Sequence, residues 1–331
     1  MLAVRALAPL LLLLAAACRA SEPAPPRAVD HHVHVLGPRL VADWKSLGVP
    51  FSRPDEAYTS AARYLEGPDA LAGAWLVPMG HLYANAEFAA ALGLDAAEAR
   101  ARLREENAHV AREAARLGPP SLACVSVPPR AEWAVEELAY GVDVLGARAL
   151  KLHLASGGVD LREPEHLEAV GRCLDAARAR DLPVLLHLDP QLRGHEAAHV
   201  RAALDTLLGQ RDDLVVVIAH LGGSGGFGPW TQSVLATLTE WLASEAADGR
   251  LHTGVLVDVS AVILEAESEG VPPSTDAELA ALAPALRRLG LGRVLFASDA
   301  PVFDPADTRR LWRERSGLTP DEWMRILLNR P

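Results

Sequence analysis

The chain has 331 residues, half of them hydrophobic, and a formal net charge of −11 at pH 7. This length suits one large α/β barrel or two ordinary domains. The acidic balance and the absence of any block of Lys and Arg argue against a nucleic-acid binder. The three cysteines, Cys18, Cys124 and Cys173, form no CxxC motif, which argues against a thiolate zinc site or a disulfide framework. We expect Cys124 and Cys173 to be buried thiols.

The N-terminus predicts an export signal. Arg5 precedes an apolar run over residues 6–17 that is too short to span a bilayer. Small residues before Cys18 resemble the lipobox of bacterial lipoproteins, in which the cysteine is lipidated. We therefore predict a signal peptide over 1–17, a lipid anchor on Cys18 as the only membrane contact, and a linker over 19–28. The protein would be an outer-membrane lipoprotein facing the periplasm or cell surface; the alternatives are an ordinary periplasmic or secreted protein and a chance apolar start.

Strand and helix patterns alternate along the rest of the chain. Strands are predicted over residues 30–35, 72–78, 122–127, 147–154, 183–188, 214–220, 255–260 and 293–298. Helices are predicted over 55–65, 95–117, 131–140, 164–180, 195–208, 231–247 and 275–289, and 36–54 is predicted to be irregular. Several strands are continuous apolar runs, as expected where both faces are buried. The alternation predicts an α/β fold, a single-domain (β/α)₈ TIM barrel over 29–331, with a doubly wound sheet as the alternative.

The first strand carries the pattern Asp30-His31-His32-Val33-His34. Because side chains alternate across a strand, we predict that Asp30, His32 and His34 share one face and that His31 points away. Two imidazoles two residues apart can hold one metal ion. The alternative is a polar strand end with histidines placed there by chance.

More ionisable residues lie at the ends of later strands. Lys151 and His153 are on the fourth strand, His187 and His220 end the fifth and sixth, and Asp299 follows the eighth. Active sites of (β/α)₈ barrels lie at the C-terminal ends of the strands. A single histidine there is usually structural, but several histidines and a carboxylate at matching ends predict a functional site.

This combination resembles the amidohydrolase superfamily. HxH on strand one, with the phrases LKLH, PVLLH, IAHLGG and RVLFASD, is similar to the amidohydrolase-related branch, which includes aminocarboxymuconate-semialdehyde decarboxylase and other metal-dependent TIM-barrel hydrolases. The resemblance covers about residues 29–330. It implies that His32, His34, His187 and Asp299 are metal ligands.

The resemblance leaves the roles of three residues open. His220 would be a catalytic residue beside a single metal, or a ligand of a second metal. In the second case Lys151 would bridge both ions as a carbamate. We favour instead a buried Lys151 amine paired with a carboxylate such as Asp30, or in contact with the substrate. His153 would contact substrate or serve packing.

The resemblance implies a metal-dependent hydrolase of the amidohydrolase-related type. A ligand set of nitrogen and oxygen suits zinc, with manganese, nickel or iron as alternatives. A metal-activated water would attack an amide, lactone or ester carbonyl, with Asp299 accepting a proton and His220 stabilising the developing charge. The alternatives are a non-oxidative decarboxylase of the same fold and a catalytically idle surface binding protein. Candidate contacts to a small-molecule substrate lie in the loops: Trp44, Arg53, His81, Tyr83, Arg193, Trp230 and Asp304.

Overall fold

The computed structural model describes residues 27–67, 69–188, 194–268 and 270–331. The predicted signal peptide, Cys18 and Arg193 lie outside these residues. Within the described ranges, no helix has both the length and the apolar character needed to cross a membrane.

In the described part of the chain, eight parallel strands form a nearly closed barrel. They are β1 (Val29–His34), β2 (Gly73–Val77), β3 (Leu122–Ser126), β4 (Ala149–His153), β5 (Val184–His187), β6 (Val216–Ile218), β7 (Val255–Asp258) and β8 (Val294–Leu295). Each strand pairs with the next in sequence order. Main-chain hydrogen bonds join the first strand, β1, to the chain that follows the last strand, β8. His31 N–H donates to Phe296 O at 3.1 Å and His34 N–H donates to Ala300 O at 2.6 Å. The predicted single-domain (β/α)₈ TIM barrel is confirmed.

Helices between the strands and after the last strand begin and end at residues suited to those positions. They are α1 (Pro38–Ser46), α2 (Glu56–Thr59), α3 (Ala86–Ala91), α4 (Ala96–Leu117), α5 (Ala134–Asp143), α6 (Pro164–Arg178), α7 (Ala197–Leu208), α8 (Pro229–Ala247), α9 (Asp276–Leu289), α10 (Pro305–Arg315) and α11 (Pro320–Leu328). Asp95 and Glu98 form a capping box at the start of α4, and Gly118 ends that helix with φ of 70°. Thr275 and Thr319 begin α9 and α11 in the same way.

Two segments between β1 and β2 differ from their predictions. Residues 36–54, predicted to be irregular, contain α1, which starts at Pro38 because proline suits the first helical position. The helix predicted over 55–65 is broken into α2 and a separate 3₁₀ turn at Ala62–Leu65. Both segments follow β1 and border the open end of the barrel.

Most buried apolar side chains of the described residues pack in two layers. The larger layer lies between the sheet and the helices, and Cys173 of α6 belongs to it. The smaller layer is the barrel interior, formed by Val29, Trp75, Val77, Cys124, Ala149, Leu185, Val217, Ala219, Leu256 and Leu295. Both Cys124 and Cys173 are buried free thiols, as predicted. Lys151 lies two residues beyond Ala149 on β4 and therefore shares its inward face. This ionisable side chain thus lies above the interior layer.

A β-bulge in β1 overturns part of the predicted alternation. Asp30 pairs with Ala74 and Val33 pairs with Leu76, so β1 carries one extra residue between these pairs. Ala74 and Leu76 both pack in the outer layer. Asp30 therefore takes the same face as Val33 and does not share the face of His34.

The bulge also changes the surroundings of His31. Its ring lies edge-on to Trp75 of the barrel interior, with ring centroids 5.4 Å apart, instead of pointing away. Its Nδ1 lies 2.9 Å from the carbonyl oxygen of Phe296. Burial lowers the pKa of His31 to about 4, so the imidazole is neutral at physiological pH. His31 is thus a structural residue beneath the site.

Candidate metal centre and active site

Three of the predicted ligands meet at the C-terminal end of the barrel. His32 Nε2 lies 3.6 Å and His34 Nε2 lies 3.3 Å from Asp299 Oδ1. These atoms are close enough together to hold one ion. Asp299 Oδ1 is buried and accepts no hydrogen bond from any described residue, which is unusual for a carboxylate oxygen. The donor set and the unpartnered oxygen fit a divalent metal.

The electrostatic balance keeps Asp299 ionised. Burial by itself would raise the pKa of Asp299, but the neighbouring imidazoles of His34, His32 and His220 outweigh it and lower the pKa. The carboxylate therefore carries its charge at neutral pH. Its backbone has a φ of 67°, a left-handed conformation that residues other than glycine rarely adopt. Such strain is concentrated at functional sites.

The hydrogen bonds at Nδ1 of His32 and His34 leave a lone pair on Nε2 of each ring. His32 Nδ1 lies 3.1 Å from Asp258 Oδ2, and His34 Nδ1 lies 3.2 Å from the carbonyl oxygen of Val77. Both oxygens act as acceptors, so each Nδ1 carries the proton and each Nε2 presents a lone pair. A histidine ligand needs this arrangement to bind a metal through Nε2.

His187, the fourth predicted ligand, lies beside this group and not within it. Its ring centroid is 4.6 Å from that of His220 and 4.0 Å from that of His153. Nε2 is buried and has no hydrogen-bond partner among the described residues. Burial, together with the neighbouring His153, His220 and Lys151, lowers the pKa of His187 well below its usual value, so the imidazole is neutral. Its role as a ligand stays a prediction that this unpartnered nitrogen supports.

His220 lies in the 3₁₀ turn Ala219–Gly222 that follows β6, and not at the end of the strand as predicted. Its φ of 53° is another left-handed conformation. The backbone N–H donates to Asp258 Oδ1 at 3.0 Å, and Nδ1 lies 3.0 Å from the carbonyl oxygen of Ser260. Because Nδ1 donates to this carbonyl, Nε2 is left for the cavity above.

His153 and His81 extend the row of imidazoles away from β1. The N–H of Ser156 donates to His153 Nδ1 at 3.4 Å, which leaves the ring proton on Nε2. The His81 ring centroid lies 5.0 Å from that of His153, and His81 Nδ1 lies 3.0 Å from Ser126 Oγ. Burial lowers the pKa of His81 to about 3 and that of His153 well below its usual value, so both imidazoles are neutral. His153 can therefore offer a neutral N–H donor to a bound molecule.

Lys151 does not pair with Asp30. Its Nζ lies 3.3 Å from His32 Nε2, whereas Asp30 Oδ1 accepts from the backbone N–H groups of His32 at 3.1 Å and Ser298 at 3.0 Å. The bulge in β1 directs Asp30 towards the chain after β8. Burial lowers the pKa of Lys151 to about 8, although the charge of Asp299 opposes this.

A cavity of about 370 Å³ opens above these groups. Its floor is formed by His34, His153, His187, His220 and Asp299, and its walls by Leu36, Trp44, Phe51, Tyr58 and Met79. Among the described lining residues, Arg53 alone carries a positive charge, and its Nη1 donates to Pro301 O at 3.3 Å. Val49 and Val302 line the cavity and are exposed. The cavity thus combines a polar floor with aromatic walls and an apolar rim.

The structure places some of the predicted substrate contacts in the loops at the cavity and others elsewhere. Trp44 and Arg53 line the cavity. Tyr83 is buried elsewhere and its hydroxyl donates to Asp43 Oδ2 at 2.7 Å. Asp304 is the N-cap of α10, and its side chain accepts a hydrogen bond from Ala306 N–H. The last two are explained by structural roles.

A family model described as an amidohydrolase matches residues 29–329. The chain belongs to the amidohydrolase family. No curated protein is similar enough in sequence to count as a relative.

Solved structures share the fold of this amidohydrolase at low sequence identity. A 5-carboxyvanillate decarboxylase from Sphingomonas paucimobilis has a TM-score of 0.59 and 14% identity, covering 91% of this chain and 96% of its own. A dihydroxybenzoic acid decarboxylase from Polaromonas sp. JS666, with bound manganese and 2-nitroresorcinol, has a TM-score of 0.58 and 15% identity, covering 91% and 94%. A 2,6-dihydroxybenzoate decarboxylase from Rhizobium has a TM-score of 0.56 and 17% identity, covering 91% and 96%.

Sequence reasoning missed Asp258 and Ser260 of this amidohydrolase. Asp258 ends β7 with no exposed surface, and Ser260 follows in the next loop. The signal was present in the phrase VLVDVS, where a charged residue interrupts a buried strand near its C-terminal end. A carboxylate buried in such a strand requires hydrogen-bond partners, which is a signal for a functional or positioning residue.

Lys151→Met is expected to change the pH dependence of stability in the metal-free amidohydrolase. The folded protein releases the Lys151 proton near pH 8 and the unfolded chain near 10.5. The unfolded chain binds more protons between these values, so wild-type stability gains from Lys151 as pH rises through this window. That gain is up to about 3 kcal/mol. Urea unfolding of both proteins between pH 8 and 10 measures the difference, and parallel pH profiles would contradict the assignment.

Proposed function

We propose that this amidohydrolase is a metal-dependent enzyme that decarboxylates a small aromatic or unsaturated acid without an oxidant. The observation that carries the proposal is the group of His32 Nε2, His34 Nε2 and Asp299 Oδ1 beneath a cavity with aromatic walls. The cavity has the size expected for a small ligand. The structural similarity to decarboxylases of hydroxylated aromatic acids supports this reaction over others of the family.

His32, His34 and Asp299 would hold a divalent metal, with His187 as the fourth ligand. A set of neutral imidazoles and one carboxylate suits zinc, which we expect, and also manganese, which the Polaromonas decarboxylase binds. When bound, the ion would polarise an oxygen of the substrate and stabilise negative charge there.

The side chains of the cavity would bind and orient the acid. Trp44 and Phe51 offer aromatic faces to a ring, with ring centroids 6.1 Å apart. Arg53 supplies positive charge that attracts an anionic substrate to the mouth. The neutral Nε2–H of His153 can donate a hydrogen bond to an oxygen at the floor.

Decarboxylation of an anionic acid requires one proton at the ring carbon that loses the carboxylate. The ionised Asp299 would accept this proton from a solvent water, which is left as hydroxide, and deliver it to the ring carbon. The bond between that carbon and the carboxyl carbon breaks, its electron pair stays on the ring carbon, and carbon dioxide leaves. His220, held by Asp258 and Ser260 with Nε2 free, lies on the same floor and would hydrogen-bond the substrate.

Hydrolysis of a lactone, amide or ester is the second candidate. The observation that favours it is the depressed pKa of Asp299, because an ionised carboxylate beside the cavity can accept a proton from water. His153 and His220 would then hydrogen-bond the oxygen on which charge develops. The same residues thus serve both reactions, and the products separate them.

Metal-reconstituted protein incubated with hydroxybenzoates, other carboxylated phenols, lactones and amides tests the proposal. We expect release of carbon dioxide together with loss of the acid, and no release from His34→Ala protein treated in the same way. Ring opening or acyl cleavage without carbon dioxide would establish hydrolysis and contradict decarboxylation. A fully metal-loaded protein inactive on the whole panel would count against both reactions for these substrate classes.

A further inference from the structure

We propose that Asp258 is a positioning residue that sets the tautomer of His32 and fixes the backbone of His220. It contacts neither cavity nor substrate and acts through these two histidines. The effect on metal affinity rests on the proposed function, whereas the effect on the His32 tautomer does not.

The contacts of Asp258 use both carboxylate oxygens. Oδ2 accepts from His32 Nδ1 at 3.1 Å. Oδ1 accepts from the backbone N–H groups of His220 and Ser260, both at 3.0 Å, and from the Ser260 hydroxyl. Asp258 is fully buried, and so is His32. A single carboxylate therefore joins a β1 histidine to the strained turn after β6.

Asp258, His32 and His220 are also close enough together to suggest an ion site of their own. We assign them to positioning because protein donors already occupy both oxygens of Asp258. His220 Nδ1 is likewise engaged, since Ser260 O lies 3.0 Å away. An ion there would have to displace these hydrogen bonds.

The tautomer of His32 follows from its contact with Asp258. A carboxylate only accepts, so His32 Nδ1 must carry the proton and Nε2 keeps its lone pair. Lys151 Nζ, 3.3 Å from His32 Nε2, can donate to that lone pair in the metal-free protein. A ligand histidine held by a carboxylate in this way binds metal more strongly than one without it.

Asp258→Asn keeps the shape of the side chain but replaces one acceptor with an N–H₂ donor. If the amide oxygen stays with the backbone donors of His220 and Ser260, the amide nitrogen faces His32 Nδ1. His32 Nδ1 must then accept a hydrogen bond from the amide, so the ring proton of His32 moves to Nε2. If the amide is flipped instead, two buried N–H groups lose their acceptor, which costs stability. The first arrangement keeps more hydrogen bonds.

We expect Asp258→Asn to move the His32 ring proton from Nδ1 to Nε2 and to weaken zinc binding about 10–100-fold. Long-range ¹H–¹⁵N NMR of the metal-free protein measures the tautomer, with the His32 signal identified by its loss in His32→Ala. Competition with a chromophoric chelator measures zinc affinity. Asp205→Asn is the matched control, because Asp205 lies on α7 outside the site and accepts from Trp241 Nε1.

The outcomes are distinguishable. A wild-type His32 protonated on Nε2 would overturn the proposal, and this measurement needs no folded variant. An unchanged tautomer and zinc affinity in Asp258→Asn would overturn it too. A shifted tautomer in a protein whose wild type binds neither zinc nor manganese would support the positioning role of Asp258 while refuting the metal-dependent function.

Discussion

Replacing Asp299 with Asn is expected to leave the protein folded and nearly inactive, even with excess metal. Asn preserves the shape of the side chain but cannot accept the proton that decarboxylation or hydrolysis requires. Loss of proton transfer by one group costs on the order of 10²–10⁴ in rate. Metal binding is expected to weaken as well, because the charged oxygen beside His32 and His34 is lost.

The measurement is turnover of a substrate found in the screen, against increasing zinc, for wild type, Asp299→Asn and the control Asp205→Asn. Extra metal corrects a binding defect but not a missing proton acceptor. Near wild-type activity of Asp299→Asn at saturating metal would leave Asp299 as a ligand at most.

Replacing His34 with Ala is expected to abolish the response of thermal stability to metal. Binding to the folded state alone stabilises a protein by about 4 kcal/mol at a free metal concentration about a thousand times Kd. For a chain of this size that corresponds to a rise in Tm on the order of 10 °C. His34 is the suitable ligand to remove because its side chain is 15% exposed, whereas that of His32 is completely buried.

Thermal unfolding of wild type and His34→Ala, each with zinc and with chelator, gives four curves. The two chelator-treated proteins should unfold at similar temperatures, which controls for damage to the fold. An equal rise in Tm with zinc in both proteins would show that the stabilising ion binds elsewhere.

The barrel was predictable because buried parallel strands are nearly continuous apolar runs, visible in β5 and β6. Most of the site followed from the same reasoning, since residues at the ends of such strands must converge. The side-chain directions in β1 were not predictable. The bulge between Asp30 and Val33 depends on how β1 pairs with β2 and β8, and residue types alone do not encode that pairing.

Other errors have equally physical causes. Asp258 was overlooked because a single carboxylate in an apolar strand matches no motif; only the contacts with His32 and His220 reveal its use. The sequence predicts strand for the turn that carries His220 because its apolar composition suits either structure. His187 could be placed at the correct end of the barrel, but the distances that keep it outside the tight group of His32, His34 and Asp299 depend on tertiary packing.

Elemental analysis of wild-type protein, purified without chelator, tests the central claim most directly. We predict one divalent ion per chain, retained by Asp205→Asn and lost from His34→Ala. Two ions per chain would assign His220 and a carboxylated Lys151 to a second site, and Lys151→Ala should then lose one. Wild-type protein that contains no metal and takes none up from added zinc or manganese would contradict the account.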